Sequence, residues 1–314
     1  MESRVNKFKI INDYIVYSSS RGTLYFSTKI EKNLFDKAKY EKCSKLESEF
    51  ILKLRAYEEK EKYYDIYSEY SNYGTLFDYL KDRKSRNLQI EENFLRSIIE
   101  QIIKGLEILY KGGSIFANLE LKDIFINKKD LINNYFKNNK NYANKIDFSC
   151  LTLDNAQIKI KNIYFKKEII TLDSNFVAKL NNLAPEIIQA IAQGKDVAKN
   201  IDYKAEIWAL GIITYELLTN NFSVDYNDLI NKITKKEKYL PNNINASKEI
   251  IDFIDKLLKL DPKERMDFDE IKNHEFIRGK KTQSEIDEEI KQLIERKNEL
   301  ERIIDEQFIE ILER

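Results

Sequence analysis

Apolar and polar residues alternate over residues 8 to 32, in KFKII, YIVYSSS and LYFSTKI, and this period of two predicts short strands with a turn at Arg21-Gly22. A mixed stretch from Leu34 to Glu49 has the length of one helix. FILKLRAYEE and KYYDIYSEY then read as two further strands joined in a hairpin at Lys60-Glu61. From Leu76 the period changes. Glu92 to Lys111, Lys204 to Leu218 and Glu249 to Leu260 each repeat apolar residues at three and four, the spacing of a helix with one buried face. The pattern predicts a small β-rich lobe over 1–70 and a mainly α lobe over 71–279. Within the second lobe, NKKDLINNYFKNNKNYAN has no period strong enough to force a core element, so residues 127–145 are expected to form a surface insertion.

Residues 280–314 make a third unit. Thr282 and Glu285 give a capping-box pattern, no Gly or Pro follows, and a single helix about 50 Å long results at 1.5 Å per residue. A heptad seam runs through Ile286, Ile290, Leu293, Lys297, Leu300, Ile304, Gln307 and Ile311, with Phe308 adding apolar surface. Ile at a and Leu at d favour a parallel two-stranded coiled coil. Partner contacts are therefore expected at Ile290, Leu293, Leu300, Ile304, Phe308 and Ile311, with another protein or a second copy of the chain. The alternative is a helix folded back on its own large lobe.

Charge and composition narrow the function classes. Lys plus Arg and Asp plus Glu number 53 each, so no net field favours nucleic acid or an acidic membrane surface. The N-terminus, MESRVNKFKI, lacks the apolar run of a signal peptide, and the longest apolar stretch, Ile207 to Leu218, is too short to span a bilayer. An intracellular protein, cytoplasmic or cytoskeletal and not secreted, is expected. Cys43 and Cys150 make neither a disulfide framework nor a zinc cluster and are read as packing residues. The sequence is rich in Lys, Asn, Ile and Tyr, so one Asn at an unusual place carries little weight. Several coordinated replacements carry more.

Four segments in order resemble the eukaryotic protein kinases, over roughly residues 8 to 279. SEYSNYGTLFDYL is similar to the hinge between the lobes, with Ser68 as gatekeeper and Glu69 opening the connection. LAPEII holds Ala184, Pro185 and Glu186, which resemble the close of an activation segment. AEIWALGIITYELLT resembles the buried central helix of the large lobe through Trp208 and Gly211. LDPKERMDFDEIKNHEF resembles the closing helices and brings Arg265, the expected ion-pair partner of Glu186, with His274 read as structural. The resemblance implies an α+β, two-lobed protein kinase-like fold followed by the long C-terminal helix.

The chemistry implied by that resemblance departs from the family pattern. The catalytic loop H-R-D-x-x-x-x-N falls on FANLELKDIFI, which puts Phe116, Ala117, Asn118 and Asp123 at the four motif positions. An Asn amide at the base position cannot take up the substrate's proton. Glu120 stands where the family usually keeps a phosphate-steadying lysine. The metal motif falls on Asn162, Ile163 and Tyr164; Asp147-Phe148-Ser149 is a rival, but the interval from Asn162 to Glu186 is the ordinary one. Lys29 resembles the strand lysine that holds the α- and β-phosphates, with an ordinary solvated lysine as the other reading. Its helix partner is Glu41 or Glu47, on a truncated helix. Phe125 falls beneath the adenine position. Thr171 and Ser174 lie where phosphorylation would act, yet Ala117 removes the arginine that would read it. Leu54, Phe116 and Ile163 keep the apolar spine.

Losses that fall on chemistry and spare packing lead to one expectation: a catalytically inactive pseudokinase, not an enzyme, that acts as a scaffold or allosteric protein-binding module. Mg-ATP binding is expected to be weak or absent, metal absent, and the partners other proteins held by the C-terminal helix and lobe surfaces, with a homodimer possible. The other reading is a divergent nucleotide-binding enzyme that uses Lys29, Asp123 and Glu120 in a rearranged site.

Overall fold

The structure, a computed structural model, describes residues 8–12, 15–18, 23–116, 119–128, 151–152, 155–162, 182–195, 202–222, 225–235, 237, 240–241, 244, 246–279, 290–291 and 294–297. The first lobe is an antiparallel sheet of β1 (Phe8–Asn12), β2 (Ile15–Ser18), β3 (Thr23–Glu31), β4 (Leu54–Glu59) and β5 (Tyr63–Glu69), in the order β1-β2-β3-β5-β4. Helix α1 (Lys37–Ser44) is the one helix described in this lobe, started by Asp36, whose carboxylate accepts from Lys39 N–H. It is short, as expected for a truncated helix. Ile30, Phe35, Tyr40, Cys43, Leu54 and Ile66 pack between helix and sheet.

The chain leaves β5 through a connection stitched to the second lobe. Tyr73 N–H donates to the Ile126 carbonyl, Ile126 N–H to the Gly74 carbonyl, and the Ser71 hydroxyl to the Ile126 carbonyl at 2.6 Å. Gly74 adopts φ 75°, a left-handed conformation that glycine takes without a Cβ clash. Thr75 and Asp78 then cap α2 (Leu76–Ser85) reciprocally.

Helices dominate the second lobe: α3 (Glu92–Lys111), α4 (Pro185–Ala192), α5 (Lys204–Thr219), α6 (Tyr226–Lys235), α7 (Lys248–Leu257), α8 (Phe268–Asn273) and α9 (Glu275–Arg278). A two-stranded ribbon of β6 (Ile124–Lys128) and β7 (Ala156–Ile160) faces the first lobe. Asn127 and Lys128 belong to β6, opposite Gln157 and Ala156, so these two residues are not part of a surface insertion; the rest of the expected insertion, 129–145, lies outside the described residues. A 3₁₀ turn over Leu121–Asp123 precedes the ribbon. The arrangement is the two-lobed α+β fold expected. No helix of the described residues is long and apolar enough to cross a membrane.

Helix α5 is buried on every side from Ala205 to Leu218, the condition of a helix at the centre of a core. Gly211 is required there by packing, since a Cβ would lie 2.7 Å from Leu258 Cδ2. Trp208, fully buried, lies 5.1 Å below the Arg265 guanidinium. Arg265 meets Glu186 bidentately at 2.8 and 2.6 Å and gives its remaining donors to the carbonyls of Lys204, Lys259 and Leu260. His274 is structural: one ring nitrogen lies 2.9 Å from Asp252, and Nδ1 accepts from Phe276 N–H.

Of the C-terminal unit, residues 290–291 and 294–297 are helical and exposed; Leu293, Leu300, Ile304, Phe308 and Ile311 lie outside the described residues. Arg265→Ala should cost about 3–5 kcal/mol, because it strands a partly buried carboxylate and empties the space over Trp208. Urea unfolding would show this as a lower midpoint at unchanged slope.

Candidate functional site

Strand alternation decides what faces the space between sheet and ribbon. Phe26 on β3 lies with its ring 5.1 Å from that of Phe125 on β6, so both look into the cleft. Side chains two apart share a face, which places Thr28 beside Phe26 on the cleft side, opposite the buried Ile66. Lys29 is on the other face, exposed, with Nζ 5.3 Å over the Tyr63 ring. The lysine expected to hold phosphates therefore points away, and a hydroxyl side chain stands in its place. Glu41 is exposed, and Glu47 pairs with Lys53 at 3.4 Å.

The hinge end of the cleft is aromatic. Phe26 also lies 5.0 Å from Tyr70, just past β5, and Ser68 sits opposite Phe26 in the sheet. A planar ring between Phe26 and Phe125 would need about 7 Å, two van der Waals contacts of about 3.5 Å. The rings touch instead, so this slot is filled from within. Beneath it, Glu69 accepts from Lys159 Nζ at 2.8 Å; Lys159 is only 4% exposed. This buried pair ties the hinge to β7.

The floor is set by the β6–β7 register. Phe125 opposes Lys159 and Ile124 opposes Ile160. The ladder runs one rung further, with Lys161 N–H donating to the Asp123 carbonyl at 2.8 Å. Asp123 and Lys161 are thus cross-strand neighbours on the face that carries Phe125 and Lys159. Burial pushes the Asp123 carboxyl above its ordinary value, Lys161 pulls it down and Glu120 pushes it up. Lys161 is half-buried, and among the described residues it has no ion-pair partner.

The segment that resembles the catalytic loop is anchored from several sides. Phe116 packs on the large-lobe core, and its N–H donates to a carboxylate oxygen of Glu206 on α5. The Asn182 amide donates to the Leu119 carbonyl at 2.7 Å, and Asp123 Oδ2 accepts from Glu120 N–H at 3.3 Å. Glu120 pairs with Lys122 at 2.5 Å. Ala117, Asn118 and Ile163 lie outside the described residues, as do Thr171, Ser174 and the Asp147 rival. Asn162 is buried; its amide donates to the Cys43 carbonyl of α1, and its Oδ1 has no hydrogen-bond partner among the described residues. Cys43 Sγ in turn lies 3.3 Å from Ser114 Oγ. No group of three or more His, Cys, Asp or Glu among the described residues could hold a metal by itself.

Glu206, Phe26, Lys159 and Lys161 were not singled out from the sequence. The signal for Glu206 is an acidic residue opening an otherwise apolar helix; for the lysines it is only their alternation with Ile158 and Ile160.

The model of the protein kinase domain matches residues 27–277. The chain is 26% identical over 230 residues to the SNF1-related protein kinase catalytic subunit alpha KIN12 of Arabidopsis thaliana, covering 70% of this chain and 38% of that protein. It is 27% identical over 242 residues to the "Probable cell cycle serine/threonine-protein kinase CDC5 homolog" of Encephalitozoon cuniculi, covering 76% and 44%. To the Aurora kinase of Candida albicans it is 35% identical over 101 residues, 31% of this chain and 17% of that one. The chain spans less than half the length of these curated relatives.

These likenesses overturn the expectation of a non-enzymatic pseudokinase scaffold. The relatives carry kinase names, and replacements at motif positions do not show that activity is missing. The physical reason lies in the cleft. The motif reading assigned each charge a fixed place, whereas the fold puts a carboxylate and an ammonium, Asp123 and Lys161, on one rung of its floor.

Helix α5 also buries Glu216, whose carboxyl is pushed up to about 8, by burial first and by Glu120 second. The native state then keeps this proton above the ordinary carboxyl value of 4.5, where the unfolded chain releases it. The native state binds more protons in that window, so stability falls as pH rises from about 4.5 to about 8. Glu216→Gln should flatten this slope and raise stability by on the order of 2–4 kcal/mol at about pH 8, read from urea midpoints at the two ends of the window.

Proposed function

We propose a function for a chain that belongs to the protein kinase family: it is a divergent nucleotide-binding phosphotransferase with a rearranged active site, directed at hydroxyl groups of proteins. The observation that carries this reading is the anchored catalytic loop. Glu206 holds its start through Phe116 N–H, Asn182 its middle through the Leu119 carbonyl, and the Asp123 carboxylate its end through Glu120 N–H. Phosphoryl transfer in this family is mostly positioning and charge stabilisation, and buried anchors from separate elements serve positioning. The names of the relatives support a serine/threonine-directed reaction.

The family implies a nucleoside triphosphate with a divalent cation, which would supply the transferable phosphoryl group. The inner end of the cleft fits the charged part. Asp123 and Glu120 repel each other, a cation between carboxylate oxygens relieves that repulsion, and Asn162 Oδ1, which has no hydrogen-bond partner among the described residues, is a further oxygen at this end of β7. At the hinge end, Phe26 or Phe125 has to turn before a base can enter. Protein contacts through the C-terminal segment belong to the same proposal, supported by the exposure of Ile290 and Ile294, 49% and 53%.

Isothermal titration with ATP and Mg²⁺ should show saturable binding, and labelled ATP should give slow transfer to protein hydroxyls that Asp123→Ala abolishes. A chain that neither binds nor transfers would sink this function. Phe26→Ala should tighten ATP binding by up to about tenfold, since the ring contact it removes is worth about 0.5–1.5 kcal/mol.

A further inference from the structure

We propose that Lys161, on the floor of the cleft, is the cation that binds the phosphates of the nucleotide, an assignment that rests on the function proposed above. The two lysines of the β7 segment that face the cleft have different fates. Lys159 is neutralised by Glu69 at 2.8 Å and is almost fully buried, so its ammonium has no free side to offer. Lys161, one rung further in, has no ion-pair partner among the described residues and keeps part of its surface open. On the ceiling, Thr28 occupies the cleft-facing position and Lys29 is turned to the outer face over Tyr63.

The rung geometry gives Lys161 its role. Its N–H bonds the Asp123 carbonyl, so the backbone fixes where the side chain leaves the floor. Lys161 directly follows β7, and the next residue, Asn162, is held by its amide on the Cys43 carbonyl, so the backbone is fixed on both sides of Lys161. Asp123, directly opposite, attracts it without reaching ion-pair distance. A half-exposed ammonium and carboxylate side by side match a polyphosphate with its cation: the ammonium takes phosphate oxygens and the carboxylate the metal.

The discriminating measurement is binding of ATP and of adenosine, each by titration calorimetry, on wild type, Lys161→Met, Lys161→Arg and Lys29→Met. The expected result is that Lys161→Met weakens ATP about 10- to 100-fold, the loss of charge-assisted hydrogen bonds, and leaves adenosine unchanged. Lys161→Arg should retain ATP within about threefold, as a cation of similar reach, which also excludes a folding defect at this position. Lys29→Met should bind both ligands as wild type does. ATP binding undiminished in Lys161→Met, or lost equally for ATP and adenosine, overturns the assignment and leaves the phosphotransferase reading intact. A wild type that binds neither ligand overturns both.

Discussion

The large lobe depends on the burial of one guanidinium. Arg265 has no exposed side-chain surface, and a charge so placed is tolerable only if every donor is met. It is met: two hydrogen bonds go to Glu186 and three to the carbonyls of Lys204, Lys259 and Leu260, which accounts for all five N–H groups. Those acceptors lie at the start of α4, the start of α5 and the segment after α7. A single side chain therefore fixes the mutual position of three pieces of chain far apart in sequence. With Trp208 stacked beneath it, α5 has one place it can occupy.

From that fixed helix the site is built outward. Glu206 lies two residues before Trp208 on α5, on the other side of the helix, and it reaches the backbone of Phe116, so the loop from Phe116 to Asp123 inherits its position from the core. The loop ends in the 3₁₀ turn at Asp123 and runs directly into β6, whose register with β7 then dictates which side chains line the cleft. Core packing, loop position and floor chemistry form one chain of constraints. The hinge is a second route between the same parts, through Glu69 to Lys159 and through Ser71 to Ile126.

Much of this was legible in the sequence, because motif spacing reports packing well. Glu186, Arg265, Trp208 and Gly211 could be named in advance from the resemblance of their segments to kinase motifs, and the structure buries Trp208 and Arg265 and leaves no room for a Cβ at Gly211. The cleft was less legible. Period-two geometry means that a reading displaced by one residue moves a side chain to the opposite face, and Lys29 against Thr28 is that case. Lys161 carries no signal of its own in a lysine-rich chain; only its place opposite Asp123 distinguishes it, and that register is a property of two strands. The functional expectation failed for the same reason. It scored the charges position by position, whereas what a phosphate meets is the set of charges on a face.

Placing charge on the floor also changes what α1 controls. In the family's usual arrangement a strand lysine is steadied by a glutamate on this helix, so helix movement sets whether phosphates are held. Here the ceiling face has Thr28, and the two candidate glutamates are exposed or paired with Lys53. Beside its apolar packing on the sheet, α1 makes polar contacts with the second lobe: the Cys43 carbonyl accepts from Asn162, and Cys43 Sγ meets Ser114. Asn162 is one residue from Lys161. Any displacement of α1 therefore pulls on the backbone that positions the floor lysine, without an ion pair crossing the cleft. The helix is therefore tied to the inner end of the cleft floor, and the tie runs through a buried amide whose strength does not depend on ionic strength, as an exposed ion pair's would.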